Sequence, residues 1–89
     1  MKLVFSARAR DDLARLREFI AEKNPQAAER VARILLTALQ RLVDHPHLGR
    51  PVEEIPACRD LVAGVYDVRY RSVEERVEII RIWHGKEGR

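Results

Sequence analysis

Apolar and polar residues alternate through Val65-Tyr66-Asp67-Val68-Arg69-Tyr70-Arg71, with Tyr66, Val68 and Tyr70 set against Asp67, Arg69 and Arg71. Successive side chains of a strand point to opposite faces, so this run predicts a strand with one buried and one polar face. The later run Val77-Glu78-Ile79-Ile80-Arg81-Ile82-Trp83-His84 is richer in β-branched residues and alternates less strictly. It predicts an interior strand, or an edge that a partner covers. Ser72 to Arg76 between the runs contains neither Gly nor Asn, so the turn type is not fixed and two registers compete. In the first, Tyr66, Val68 and Tyr70 share a face with Ile80 and Ile82, and the opposite face carries Asp67, Arg69, Arg71, Arg81 and Trp83, with Val77 and Ile79 beside them. In the second, slipped by one residue, Arg81 falls among the tyrosines and Arg71 faces Glu78. The first buries fewer charges without compensation and is preferred.

Upstream, Lys2 to Phe5 predicts a short strand and Ser6 an N-cap for the helix that follows. Ala9, Leu13, Leu16 and Ile20 recur at helical spacing with Phe19 beside them, and the charged remainder of that helix reads as a solvated face. Asn24-Pro25 ends one helix and starts another, with Asn24 as cap and Pro25 at the first helical position. The second helix runs from Gln26 to about Val43. It carries two adjoining apolar stripes, Ala28-Val31-Leu35-Ala38-Leu42 and Ala32-Leu36-Leu39-Val43, with Ile34 outside both. This arc is wider than one sheet contact requires, which leaves room for a partner around Leu36. His45 to Pro56 predicts a loop with Gly49-Arg50-Pro51 at its centre, and Arg59 to Ala63 a short strand. The order is β-α-α-β-β-β, an α+β fold with a helical hairpin packed on a mostly antiparallel sheet, as one domain over residues 1–89.

Composition narrows the function classes. With 46% apolar residues the chain is globular, and it holds no apolar run long enough to span a bilayer. Its start turns charged too soon for a secretory signal, and the single Cys58 suits a reducing compartment, so the cytoplasm is expected and no membrane partner is. Residues 1–44 carry nine Lys/Arg against six Asp/Glu, whereas residues 45–89 carry eight of each. The net charge of +3 therefore sits on the helical half, and direct sequence-specific DNA binding by this chain alone is not expected. His45, His47 and His84 lack metal-ligand spacing, no nucleophile elbow surrounds Ser6 or Ser72, and no Gly-rich phosphate loop occurs. No metal and no cofactor are expected. What remains is a cationic set, Arg69, Arg71, Arg81, His84 and Lys86, which could hold phosphate, stabilise charge during RNA cleavage, or dock acidic side chains of a protein.

Several short pieces, in order and nearly end to end, resemble the RelE/ParE superfamily of bacterial toxins, and its ParE branch more closely. They are Phe5-Ser6-x-x-Ala9 with Asp12-Leu13, the Asn24-Pro25 hairpin with Ala28, His45-Pro46-x-x-Gly49-Arg50-Pro51, Arg59-x-Leu61-Val62-x-Gly64-x-Tyr66, Val68-x-Tyr70-Arg71 and Val77-x-Ile79-x-Arg81-Ile82-Trp83-His84-Gly85. The resemblance implies the toxin of a type II toxin–antitoxin, or plasmid stabilisation, system, neutralised by a ParD-like antitoxin. The superfamily's ribosome-dependent mRNA endonucleases carry basic or aromatic catalytic residues where this chain has Asp67 in the strand and Glu87 after the last one, and a tail tyrosine beyond the point where this chain stops at Arg89. A carboxylate cannot replace a guanidinium that neutralises phosphate. The ParE-like reading, a non-enzymatic inhibitor of DNA gyrase, is therefore preferred over the RelE-like endonuclease, and no catalytic residue is assigned. Target contact is expected at Arg69, Arg71, Arg81, His84 and Lys86, and antitoxin contact at Leu36, Val77, Ile79 and Trp83.

Overall fold

The computed structural model describes residues 1–85, so Lys86 and Glu87 lie outside the described residues. Its elements are β1 Lys2–Phe5, α1 Ala7–Lys23, α2 Pro25–Asp44, β2 Arg50–Pro51, β3 Cys58–Ala63, β4 Tyr66–Val73 and β5 Arg76–His84. The strands form one sheet in the order β1-β5-β4-β3-β2, in which β1 runs parallel to β5 and the other pairs are antiparallel. The α+β order read from the sequence stands, with one addition: the loop contains the two-residue strand β2. Both helices cover one face, where Leu16, Leu35, Leu39 and Leu42 meet Tyr66, Val68, Tyr70, Val77, Ile79 and Ile82.

The caps form where the chain announces them. Ser6 Oγ accepts from the Ala9 amide at 3.0 Å, and Asn24 Oδ1 accepts from the Gln26 and Ala27 amides at 3.1 Å, while Pro25 occupies a position whose amide needs no helical partner. The loop after α2 is pinned from beneath by Tyr70. Its hydroxyl donates to the Pro46 carbonyl at 2.8 Å and accepts from the Gly49 amide at 2.8 Å. A Cβ on Gly49 would lie 2.8 Å from the Asp60 carbonyl oxygen and from the Tyr70 ring, so only glycine admits this approach. The β4–β5 turn is carried by Glu74 at φ 55°, a left-handed conformation that neither Gly nor Asn signals in this sequence.

The two competing registers turn out to be two halves of one strand pair. From Tyr66↔His84 to Arg69↔Arg81 the pairing is the preferred register, and from Tyr70↔Ile79 to Val73↔Arg76 it is the slipped one, with Arg71 opposite Glu78. Ile80 is the extra residue between them. Such a bulge resets the parity of every side chain on one side of it. Arg81 and Trp83 thus stay off the helix-covered face as expected, while Val77 and Ile79, expected on the open face, are 0% exposed in the core. They present no surface to an antitoxin in the folded chain, which corrects their assignment.

This placement has a direct test. Ile79→Ala is expected to cost about 2–5 kcal/mol of unfolding free energy, the usual range for emptying a buried aliphatic site. A cost near zero in urea unfolding would return Ile79 to the surface.

Candidate functional site

Parity places Asp60 and Val62 of β3, Asp67, Arg69 and Arg71 of β4, and Glu78, Arg81 and Trp83 of β5 on the face that the helices leave open. At its centre the guanidinium groups of Arg69 and Arg81 each lie 5.1 Å from the ring centroid of Trp83. Cations are attracted to an aromatic face, so the indole helps hold two like charges that strand pairing sets side by side. Each arginine is also gripped by a carboxylate. Arg69 Nε and Nη2 donate to Asp60 Oδ1 and Oδ2 at 2.9 and 3.0 Å, and Arg81 Nε and Nη2 donate to Asp12 Oδ2 and Oδ1 at 2.9 and 3.2 Å. Both pairs have the fork geometry that makes guanidinium–carboxylate contacts strong and directional.

The Asp12 contact crosses from α1 to the sheet. β1 ends at Phe5, and among the described residues no strand lies beside the outer edge of β5 beyond Ile79. The beginning of α1 supplies the missing partners. Ser6 donates its amide to the Ile79 carbonyl at 3.0 Å and its hydroxyl to the Ile80 carbonyl at 2.8 Å, and Asp12 Oδ2 accepts from the Ile82 amide at 2.9 Å. Arg15 also donates to Asp12 Oδ1 at 2.9 Å. Asp12 is 2% exposed. Burial pushes its carboxyl upward and is the largest single influence, yet the hydrogen bonds from Arg81, the Ile82 amide and Arg15 together outweigh it and hold the group below the usual carboxylate range.

The remaining cations behave alike. Arg71 pairs with Glu78 across the hairpin, and Arg76 donates to Glu78 and Glu74. Hydrogen bonds from Arg71, then Arg76, lower the Glu78 carboxyl below its ordinary value. The sheet-face arginines 69, 71, 76 and 81 are thus each paired with a carboxylate: Arg69 with Asp60, Arg71 with Glu78, Arg76 with Glu78 and Glu74, and Arg81 with Asp12 of α1.

Of the cations expected to form one cluster, Arg69, Arg71 and Arg81 do share the open face. His84 does not. It pairs with Tyr66, in the half of the hairpin that keeps the preferred register, and so shares the helix side with the tyrosines, where its ring packs edge-on against Tyr66 at 5.5 Å and Phe19 at 6.2 Å. Lys86 lies outside the described residues. Of the residues expected to meet an antitoxin, Trp83 lies on the open face and Leu36 lines an apolar cleft of about 240 Å³ between α1 and α2, with Phe5, Leu13, Val31 and Ala32 around it. Leu36 is 52% exposed. Asp60 carries no sequence signal of this role, and Asp12 enters the sequence reading only as part of the Asp12-Leu13 motif. A signal for Asp12 was present, since it lies between Ala9 and Leu16 at spacings of three and four on the buried stripe of α1, a place where a charge needs a partner. Among the described residues, no three His, Cys, Asp or Glu side chains come together as metal ligands.

Comparison with known proteins gives a consistent family. Residues 3–88 match the family model described as ParE toxin of type II toxin-antitoxin system, parDE. Two proteins of Caulobacter vibrioides are similar over nearly their whole length. Toxin RelE1 is 36% identical over 91 residues, covering 98% of this chain and 96% of that one, and Toxin RelE2 is 36% identical over 85 residues, covering 94% of each. In fold, the chain is similar to a structure titled chromosomal ParDE TA system from P. aeruginosa, with a TM-score of 0.80, 22% identity, and coverage of 94% of this chain and 95% of that one.

The Asp12 clasp sets an acid limb for stability. Because its folded pKa is depressed, the carboxylate contributes stability that is fully present above its unfolded value, about 3.9, and is lost as pH falls through the folded one. Asp12→Asn, which leaves Arg81 facing a neutral group, is expected to lower stability at pH 7 by about 3 kcal/mol and to flatten the decline of the melting temperature below pH 4. An unchanged acid limb in that variant, followed by circular dichroism, would show that Asp12 is not the group responsible.

Proposed function

Because the chain belongs to the ParE toxin family of type II toxin–antitoxin systems, we propose that it stops growth by binding DNA gyrase, without a catalytic site of its own, and is held inactive by a ParD-like antitoxin. One observation carries the choice between this and cleavage of mRNA on the ribosome: the arginines of the open face are already engaged by carboxylates. To neutralise the charge that develops on a phosphate during cleavage, guanidinium groups must be available where that charge forms. Here Arg69 and Arg81 would first have to leave bidentate partners, and Asp67, opposite Trp83 at the centre of the face, adds a negative charge. A face whose arginines are already paired offers RNA little electrostatic attraction. A face with balanced charge around an indole and the exposed Val62 suits a protein surface better, since interface centres favour aromatic residues and arginine.

The His84 imidazole, which could act as an acid or base, is directed to the helix side against Tyr66 and Phe19 and so lies away from the face where RNA would be held. The antitoxin part of the reading rests on surface. Leu36 and Ile34 are both more than half exposed on α2, and the cleft beside Leu36 is lined almost wholly by apolar side chains, an arrangement that a partner's apolar anchors would fill. Among the described residues no helix is long and apolar enough to cross a membrane, and gyrase and antitoxin would both be met in the cytoplasm.

Two assays on the free protein separate the readings. Supercoiling by purified gyrase is expected to stop in its presence and to recover when the antitoxin is added, while mRNA on translating ribosomes stays intact. Asp67→Arg is expected to leave mRNA intact as well, because the other arginines remain paired. Ribosome-dependent cleavage by the wild-type chain would overturn the proposal, and cleavage gained by Asp67→Arg alone would show that the engaged arginines are no obstacle.

A further inference from the structure

The arginines of the open face are engaged, but a second set is not. Arg30, Arg33 and Arg41 are exposed on α2 and, with Ile34 and Thr37 between them, form one wall of a groove of about 550 Å³, with Val62, Ala63 and Gly64 opposite. At about 3.6 residues per turn these five helical positions fall on one side of α2. No carboxylate lines the groove, and among the described residues none of the three arginines makes an ion pair. The positive excess of residues 1–44 thus becomes an accessible row.

The chemistry of this row differs from that of the sheet face. There each guanidinium closes on a carboxylate, whereas along α2 the polar side chains of the groove are three guanidinium groups and the Thr37 hydroxyl. A guanidinium presents only donors and keeps its charge. Such a wall is complementary to a surface that presents only charged acceptors. Protein surfaces intersperse both signs, and a second copy of this chain would set the same cations against each other. The backbone of a nucleic acid duplex has the required uniformity, and Arg and Thr side chains are among its usual phosphate contacts. The dimensions agree, since Arg30 to Arg41 spans roughly 16 Å of helix, a length over which a duplex carries roughly nine phosphates.

Building on the reading of gyrase as the target, an enzyme that works on DNA, we propose that the α2 row contacts the phosphate backbone of duplex DNA held by that target. The chain then uses two adjoining surfaces, the charge-balanced open face for protein and α2 for phosphate. Val62 joins them, because it belongs to the open face, is 69% exposed and also lines the groove. Ile34, 53% exposed among the cations, meets the C–H surface of the sugars between phosphates. Contacts to phosphate and sugar carry no base sequence, so the binding is independent of sequence and sensitive to salt, each arginine–phosphate contact releasing condensed counterions.

The test compares the antitoxin-free wild-type chain with Arg33→Gln/Arg41→Gln and with Arg8→Gln/Arg10→Gln, a control that removes the same charge from exposed positions of α1. Glutamine nearly matches the helix propensity of arginine, so both variants are expected to fold, with circular dichroism as the check. Affinity for a short DNA duplex of arbitrary sequence is measured by fluorescence anisotropy over a range of salt, beside inhibition of supercoiling by gyrase. The α2 variant is expected to bind the duplex at least about 10-fold more weakly, to lower the slope of log affinity against log salt by about 2, and to lose inhibition in parallel, while the α1 control stays within about 3-fold of wild type. Equal losses in the two variants would reduce the effect to net charge and overturn the proposal, as would a wild-type slope in the α2 variant or no duplex binding by the wild-type chain. Binding of polyglutamate in place of DNA, with the same dependence on Arg33 and Arg41, would mark an acidic protein as the partner and also overturn it. Supercoiling untouched by a wild-type chain whose duplex binding still depends on the α2 row would remove the gyrase reading while supporting the phosphate contact.

Discussion

A carboxylate taken out of water must be surrounded by donors, and in this chain that requirement falls on Asp12, which receives hydrogen bonds from Arg81, Arg15 and the Ile82 amide. Together with the Ser6 hydrogen bonds to Ile79 and Ile80, the contacts to Arg81 and Ile82 tie the first helix to the last strand. Asp12 belongs to the first helix, Ile82 to the edge of a strand that has outrun its parallel neighbour, and Arg81 reaches from the opposite face of the sheet. Removing one partner of such a cluster leaves the others buried without compensation, which is why buried pairs are costly to break even where their formation adds little. The clasp also determines what Arg81 can do. A guanidinium that closes the edge of the sheet is not a spare cation waiting for phosphate, and the matching grip of Asp60 on Arg69 extends the same restriction across the face.

The bulge at Ile80 is what lets both demands be met. The alternation around Tyr66, Val68 and Tyr70 requires Ile82 opposite one end and Ile79 opposite the other, two positions an odd number of residues apart. A regular strand cannot place both on one face. With Ile80 as an extra residue, Val77, Ile79 and Ile82 all enter the core while Glu78, Arg81 and Trp83 remain together outside. Among those outside, Trp83 is a large apolar group at the centre, contacted by two cations that are themselves neutralised.

Much of this was legible in the chain. The helical hairpin follows from Ser6, Asn24 and Pro25, whose side chains do at short range what any such residues would, and the β4 alternation fixes which of its faces is buried. The grouping of Arg69, Arg81 and Trp83 on one face was also readable. The parity of β5 was not, because Ile79-Ile80 offers two apolar residues in succession and local pattern cannot say which of them faces in. The decision lies in the bulge that pairs Tyr70 with Ile79, and beyond it the strand is held by Asp12 through contacts 69 and 70 residues distant in sequence. The bulge at Ile80 moves Val77 and Ile79 into the core, while His84 keeps the place opposite Tyr66 that the preferred register gives it. The pairing of the sheet arginines escaped for a related reason: a count of charges gives equal numbers in the second half of the chain, but only the register says which cation meets which carboxylate. Unpaired arginines instead collect along α2, where the sequence had already placed the excess of positive charge.

The central claim is that Arg81 is an internal tie rather than a free ligand, and a double-mutant cycle measures that tie directly. Urea unfolding at pH 7 of the wild-type chain, Asp12→Ala, Arg81→Ala and the double variant isolates the coupling between the two side chains. A coupling of about 1.5 kcal/mol or more is predicted, within the range of contacting groups in one network. Effects that add to within about 0.5 kcal/mol would contradict the account, leaving Arg81 free for the phosphate chemistry from which it is here withheld.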